Sequence, residues 1–454
     1  MICIITLLGI FPLVSPTCQN INNEQYDFII ISPANFSEDL VPLIDHKEQH
    51  SISTKIITLD EIYQGNYFPA NGRDDAEQIK YFLKDAKENW NINYVMLVGG
   101  KEELPGRYVD ICSWGEHYKC FSDLYYADIY DENGSFCSWD SNNDNVFAGQ
   151  SMEGMVDEVD LSPDVAIGRL LCQDPSEVQI VVEKIINYEK TAYDEQWFRN
   201  LILCGGDEPS NGPSEGDKYE EWFNRTANTT WEGEYLGDKV AEIMKGFTAK
   251  KIYATGLFRS DINFLNVNNI NNAINEGAGF LLFVGHGRQD RAIKTNFPLL
   301  KSIWLPFPSG YYTSHSKKLS NGERLPVTIF AGCYCADFDT INSPIAWEFV
   351  KNENGGAIAS FGATTGSQMI SSTLVTDTYM GLLILDTFRF YLEGITTIGD
   401  IWRSIIIAYI GNEDAWSLGD DYSVFNWWHN NVNPMVLEEW MLIGDPTLRI
   451  GGYP

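Results

Sequence analysis

Positive charge is scarce in this sequence. Thirty-one Lys and Arg stand against 63 Asp and Glu, a formal net charge of −32 over 454 residues. A nucleic-acid-binding surface needs basic side chains to replace phosphate counterions, so this balance argues against nucleic acid as a partner. Long apolar runs are also missing. MICIITLLGIFPLVSPT at the N-terminus breaks at Pro16, and YMGLLILDTFRFYLEG is interrupted by Asp386 and Arg389. Neither has the length and apolar continuity of a transmembrane helix, and no stable membrane span is expected. No CxxC pair has a matching second half, which argues against a structural zinc site. Short-period repeats and low-complexity tracts are absent. Histidine is rare, with six in the chain.

What is present describes a globular protein. Hydrophobic residues make up 44% and aromatics 13% of the chain, enough for two or three domains with sizeable cores. The uncharged apolar stretch 1–17 reads as a secretory signal peptide. Sequons at Asn35, Asn133, Asn224 and Asn228 fit export, so the protein is expected to be secreted or at the cell surface. Of the nine cysteines, Cys112, Cys120 and Cys137 fall in one loop-rich region, where a disulfide is expected.

Apolar runs alternate with helical patterns. YDFIIISP, NYVMLVGG and DVAIGRLL read as buried strands, and so do NLILCGGD, KKIYATG, GFLLFVGHG, PVTIFAGC and GGAIASFGAT. Between the first two, Ile79, Phe82, Leu83 and Ala86 line one helical face. After the third, Val178, Val182, Ile185 and Tyr188 repeat the pattern. Strands without polar alternation, separated by helices, predict mostly parallel sheets covered on both faces. Two such sets predict two side-by-side α/β units, an N-terminal subdomain over 18–195 and a second over 196–454.

In parallel sheets ligands bind beyond the carboxyl ends of the strands. Asp207, His286 and Cys333 each stand where an apolar run of the second set stops. A thiol beside an imidazole makes a nucleophile, because the histidine takes its proton and the thiolate attacks a carbonyl. A carboxylate behind the histidine fixes its tautomer and orientation. Gly287 leaves room for a substrate, and its N–H with that of Cys333 could hold an oxyanion. Taken singly, His286 reads as well as a satisfied structural histidine, and Cys333 as a packed, inert thiol. Cys335 lies on the same side by strand alternation, which leaves the choice of thiol open.

These pieces, in order, resemble the gingipain-like cysteine peptidases of family C25, relatives of caspases and legumain. MLVGGKEELPGRY, SDLYYADI, SPDVAIGRL, GFLLFVGHG, IFAGCYCADFD, GGAIASFGAT and GDPTLRI carry the resemblance across nearly the whole chain. It implies a caspase-like three-layer α/β/α sandwich and a secreted cysteine endopeptidase acting on protein or peptide substrates. The family's nucleophile falls on Cys333, with Phe338 at the family's position five residues later; its base falls on His286 and its acid on Asp207. The family often has a tryptophan shortly after the histidine, where RQDRAIKT follows here. The resemblance places the carboxylate of an arginine-selective S1 pocket at Asp217, or that of the lysine-selective arrangement at Asp377. It also implies structural calcium, with no cofactor required for the chemistry. Asp140, Asn142 and Asp144 in WDSNNDNVF have the alternate spacing of calcium-loop ligands, although an Asx-rich turn reads the same. Two other functions remain open at this point: a cell-surface transpeptidase of the same fold, and a non-catalytic surface binding module.

Overall fold

The computed structural model describes residues 24–113, 116–206, 231–297, 300–369, 373–417 and 426–454. The stretch 1–17, Asp207, Asp217, Asn224 and Asn228 lie outside them.

The apolar runs form the expected strands, and both sets join one eleven-stranded sheet. From one edge the strands are Asn263–Phe264, Thr248–Tyr253, Asn200–Gly205, Phe280–Val284, Val327–Ala331 and Ala359–Ala363; then Trp440–Ile443; then Ala166–Leu170, Tyr94–Val98, Phe28–Ser32 and Thr54–Thr58. Strands Phe28–Ser32, Phe280–Val284 and Val327–Ala331 are buried at every position, as the absence of polar alternation requires of a sheet covered on both faces. The two sets therefore lie side by side, as expected, but in a single continuous sheet.

Trp440–Ile443 is the seam. It runs antiparallel to Ala359–Ala363 and parallel to Ala166–Leu170. All other pairings in this sheet are parallel, so the strands of the first set point opposite to those of the second. Because Trp440 is paired with Ala363, the start of the seam strand lies at the edge where the second set of strands ends.

The covering helices follow their apolar faces. Asp75–Trp90 buries Ile79, Phe82, Leu83 and Ala86, and each such side chain removed from water stabilises the fold by about 1–3 kcal/mol. Asp74 caps it by accepting from Glu77 N–H at 2.9 Å, and Asn91 closes it in the left-handed region. Pro175–Thr191 begins with proline in its first turn behind the Asp174 cap. Among the described residues no helix is long and apolar enough to cross a membrane.

The disulfide expected among Cys112, Cys120 and Cys137 does not form. All three are buried free thiols. Cys112 and Cys120 lie on the two strands of the hairpin Arg107–Ser113/Glu116–Ser122, opposite His117 and Val109 and not opposite each other. Packing, not oxidation, explains their burial.

Candidate active site

Register lines up the ends of three strands. Gly205 is paired with Val284, and Val284 with Ala331, in one row across the sheet. His286 and Cys333 each come two residues beyond that row. Asp207 stands at the same offset in the sequence, past Gly205, and lies outside the described residues. The spacing shared by the histidine and cysteine segments is thus a property of the sheet.

Beyond the row, the histidine and cysteine segments press together. A Cβ on Gly287 would sit 2.6 Å from the Cys333 carbonyl oxygen and 2.7 Å from the Cys335 sulfur. One on Gly332 would sit 2.6 Å from the Gly285 oxygen and 3.0 Å from the Gly287 nitrogen. Both positions need glycine for this close approach, which answers why His286 is followed by one. Tyr334, next to Cys333, holds a left-handed backbone at φ 60°, a conformation costly for an aromatic residue and kept by Tyr334 N–H donating to the Thr365 carbonyl at 2.8 Å.

The two thiols are not equivalent. Cys333 is half-buried, and its Sγ donates to the Ser367 carbonyl at 3.4 Å. Cys335 is fully buried and faces the Arg291 carbonyl. Burial, with the neighbouring Cys333, pushes the Cys335 thiol far above its ordinary range, so it cannot supply a thiolate near neutral pH.

His286 is exposed, and the Trp304 ring packs edge-on against it with centroids 6.1 Å apart. Trp304 belongs to Leu300–Leu305, which pairs antiparallel with Arg291–Phe297. The tryptophan missing from RQDRAIKT thus has a counterpart beside His286 on a later strand. Trp304 carried no sequence signal, because its approach depends on that hairpin. Lys294 Nζ lies 3.8 Å from the same ring centroid on its face.

Of the specificity candidates, Asp377 is described and Asp217 lies outside the described residues. Asp377 is exposed, between the short helical turn Thr373–Thr376 and the helix Tyr379–Leu392, and accepts from the Thr376 hydroxyl at 3.0 Å. Asp140, Asn142 and Asp144 do converge, but as a turn. Asp140 accepts from the N–H groups of Asp144 and Asn145 and pairs with the Arg73 guanidinium. Asn142 Oδ1 accepts from Asp144 N–H, and Asp144 Oδ1 from Val146 N–H. A guanidinium thus occupies the place of a cation, and in this arrangement the residues do not fit calcium. Among the described residues no group of three or more His, Cys, Asp or Glu is placed to hold a metal.

A mostly parallel α/β sheet with His286 and Cys333 at adjoining strand ends has the layered architecture of the caspase-like fold. The match to a family model makes it particular. Residues 21–451 match peptidase family C25, and the chain belongs to that family. It is 24% identical over 322 residues to Gingipain R2 of Porphyromonas gingivalis (strain ATCC BAA-308 / W83), covering 69% of this chain and 33% of the relative. Gingipain R1 of Porphyromonas gingivalis is 23% identical over 317 residues, with 68% and 24% covered. The chain thus spans a third or less of the length of these relatives. The crystal structure of the Arg-specific cysteine proteinase gingipain R shares the fold, with a TM-score of 0.59 at 18% identity over 94% of this chain and 78% of that one.

Proposed function

We propose that this chain is a secreted cysteine endopeptidase that cleaves after Arg or Lys. Cys333 gives its thiol proton to His286, and the sulfur adds to the scissile carbonyl carbon. The C–N bond breaks as His286 passes that proton to the leaving amine. Water, deprotonated by His286, then hydrolyses the thioester and frees the thiol. Asp207 orients the imidazole, and the N–H groups of Gly287 and Cys333 receive the oxyanion. The observation that carries this reading is the shared row Gly205–Val284–Ala331, with His286 and Cys333 equally far beyond it. The basic preference rests on the Arg-specific relative and the acidity of the chain.

Hydrolysis of a peptide library tests it. Cys333→Ala should abolish cleavage, whereas Cys335→Ala should retain most of it. Equal activity in Cys333→Ala and the parent protein would rule the mechanism out. Export predicts a mature secreted product lacking residues 1–17, read from its intact mass.

A further inference from the structure

We propose that Glu439 is the carboxylate that receives the basic side chain of the residue before the cleaved bond. This rests on the peptidase reading above and names the group behind its preference.

Glu439 immediately precedes the seam strand Trp440–Ile443, whose reversed direction brings it to the edge where the catalytic strands end. Its carbonyl accepts from Thr364 N–H at 3.0 Å, which ties it to the first residue after Ala359–Ala363. The chain from there runs directly to the thiol: Thr365 holds Tyr334, and the Ser367 carbonyl accepts from Cys333 Sγ. The Ser367 hydroxyl faces the Glu439 carboxyl. Ser367 therefore meets the nucleophile with its backbone carbonyl, and its hydroxyl lies toward the acid without completing a hydrogen bond to it.

The acid is incomplete as it stands. Glu439 is 0% exposed, yet neither carboxyl oxygen completes a hydrogen bond among the described residues, and neither does the Ser367 hydroxyl. Beside it, Glu438 is 1% exposed; Gln150 Nε2 donates to one oxygen at 3.4 Å and the other has no partner. No Lys, Arg or His among the described residues pairs with either. A buried carboxyl without a hydrogen bond or counter-ion is costly, and structural acids are rarely left so. Two together, one residue away from the catalytic thiol, form a site that a cation from outside would complete. A substrate whose carbonyl lies at Cys333 brings such a cation on an Arg or Lys side chain, and charge-assisted hydrogen bonds to Glu439 would hold it. Asp377, exposed and engaged by Thr376, offers no comparable setting.

The test compares the parent protein and Glu439→Gln on peptides that differ only at the residue before the bond: arginine, lysine, citrulline and norleucine. The parent should favour arginine over citrulline by about a hundredfold or more in kcat/KM, because a neutral analogue leaves the buried acid unpaired. Glu439→Gln should lose that preference, bringing kcat/KM for the arginine and citrulline peptides to within about tenfold of each other.

A second readout uses the parent alone. Burial pushes Glu439 up to about 8 while the Ser367 hydroxyl pulls the other way. The titratable groups that face it are Glu438, Cys120 and Tyr334; Asp110 on the hairpin acts on Glu438, and Cys333 and Asp337 act on Tyr334. The arginine-to-citrulline ratio should therefore rise as pH approaches 8, and the ratio cancels ionisations common to both substrates. An undiminished arginine preference in Glu439→Gln overturns the assignment. So does loss of that preference in Asp217→Asn with Glu439→Gln intact. Should Glu439→Gln fail to fold, a flat ratio against pH in the parent overturns it equally. Hydrolysis that depends on Cys333 but shows no basic preference sinks this inference and spares the peptidase. Hydrolysis independent of Cys333 sinks the peptidase reading itself.

Discussion

Two groups of buried carboxylates are treated in opposite ways. On the side of the first strand set Glu189, Asp445 and Asp123 each have a cation. Lys47 pairs with Glu189 at 2.9 Å and with Asp445 at 2.7 Å, all three fully buried, and Arg169 grips both oxygens of Asp123 at 2.7 and 2.8 Å. At the catalytic edge Glu438 and Glu439 have none among the described residues. Burial draws the Lys47 ammonium down, but Asp445 and Glu189 outweigh it and hold the group raised and charged. Burial pushes both glutamates up to about 8, reinforced for Glu438 by Glu439 and Asp110. The first group fastens helix Ser37–Gln49 to helix Pro175–Thr191 and to the C-terminal segment. The second has no counter-ion among the described residues, which is why we assign it to the substrate.

Stability should separate the two most sharply. Lys47→Met leaves Glu189 and Asp445 buried without their ammonium and should cost about 3–5 kcal/mol. Glu439→Gln replaces a carboxyl that is protonated in the fold by an amide of the same shape, and at pH 5, where the unfolded carboxyl is protonated at little cost, should change stability by about 1 kcal/mol or less. Urea unfolding of both variants gives the two numbers. Equal losses would mean that Glu439 is a structural tie like Lys47 and that the contrast is false.

The pH dependence of stability gives the next largest effect. A carboxyl raised in the folded state holds its proton there while the unfolded chain, near 4.5, has lost it. Its contribution is therefore complete below about 4.5 and is lost as pH rises through about 8. The Lys47 contribution, with its folded ammonium raised, is fully present across that window. The urea midpoint should thus fall between pH 5 and 8, and Glu438→Gln with Glu439→Gln should flatten that fall. If the double variant keeps the parent slope, other groups cause it.

The sequence disclosed the second strand set well because buried parallel strands are written as unbroken apolar runs ending in a residue of distinct chemistry. His286 and Cys333 were legible for that reason, and the register shows why their offsets agree. Trp304, Ser367 and Glu439 were not. Trp304 reaches His286 across a hairpin. Glu439 comes to the catalytic edge only because Trp440–Ile443 runs backwards, and strand direction leaves no mark on a four-residue apolar run. The strand Thr54–Thr58 and the single sheet were hidden likewise, since pairing between distant segments is not periodic in sequence. Cys112 and Cys120 misled because spacing along a hairpin says nothing of which residues face each other.

The smallest expected effect concerns Asp140, a carboxylate of the paired kind that sequence spacing presented as a calcium ligand. It is 1% exposed, and Arg73, which also pairs with Glu77, already supplies its positive charge. Burial raises the Asp140 carboxyl, but Arg73 and the N–H groups of Asn145 and Asp144 outweigh it and hold it below the usual range. A calcium ion would have to displace that guanidinium and turn Asn142 and Asp144 away from the N–H groups they cap. A ligand that binds only the native state raises the melting temperature with concentration. Thermal scans in calcium and in a chelator should therefore agree to within about 1 °C at millimolar concentration. A rise of several degrees that Asp140→Asn and Asp144→Asn abolish would show that the cation wins over Arg73. The paired and unpaired acids would then differ in which cation they await, and no longer in whether they have one.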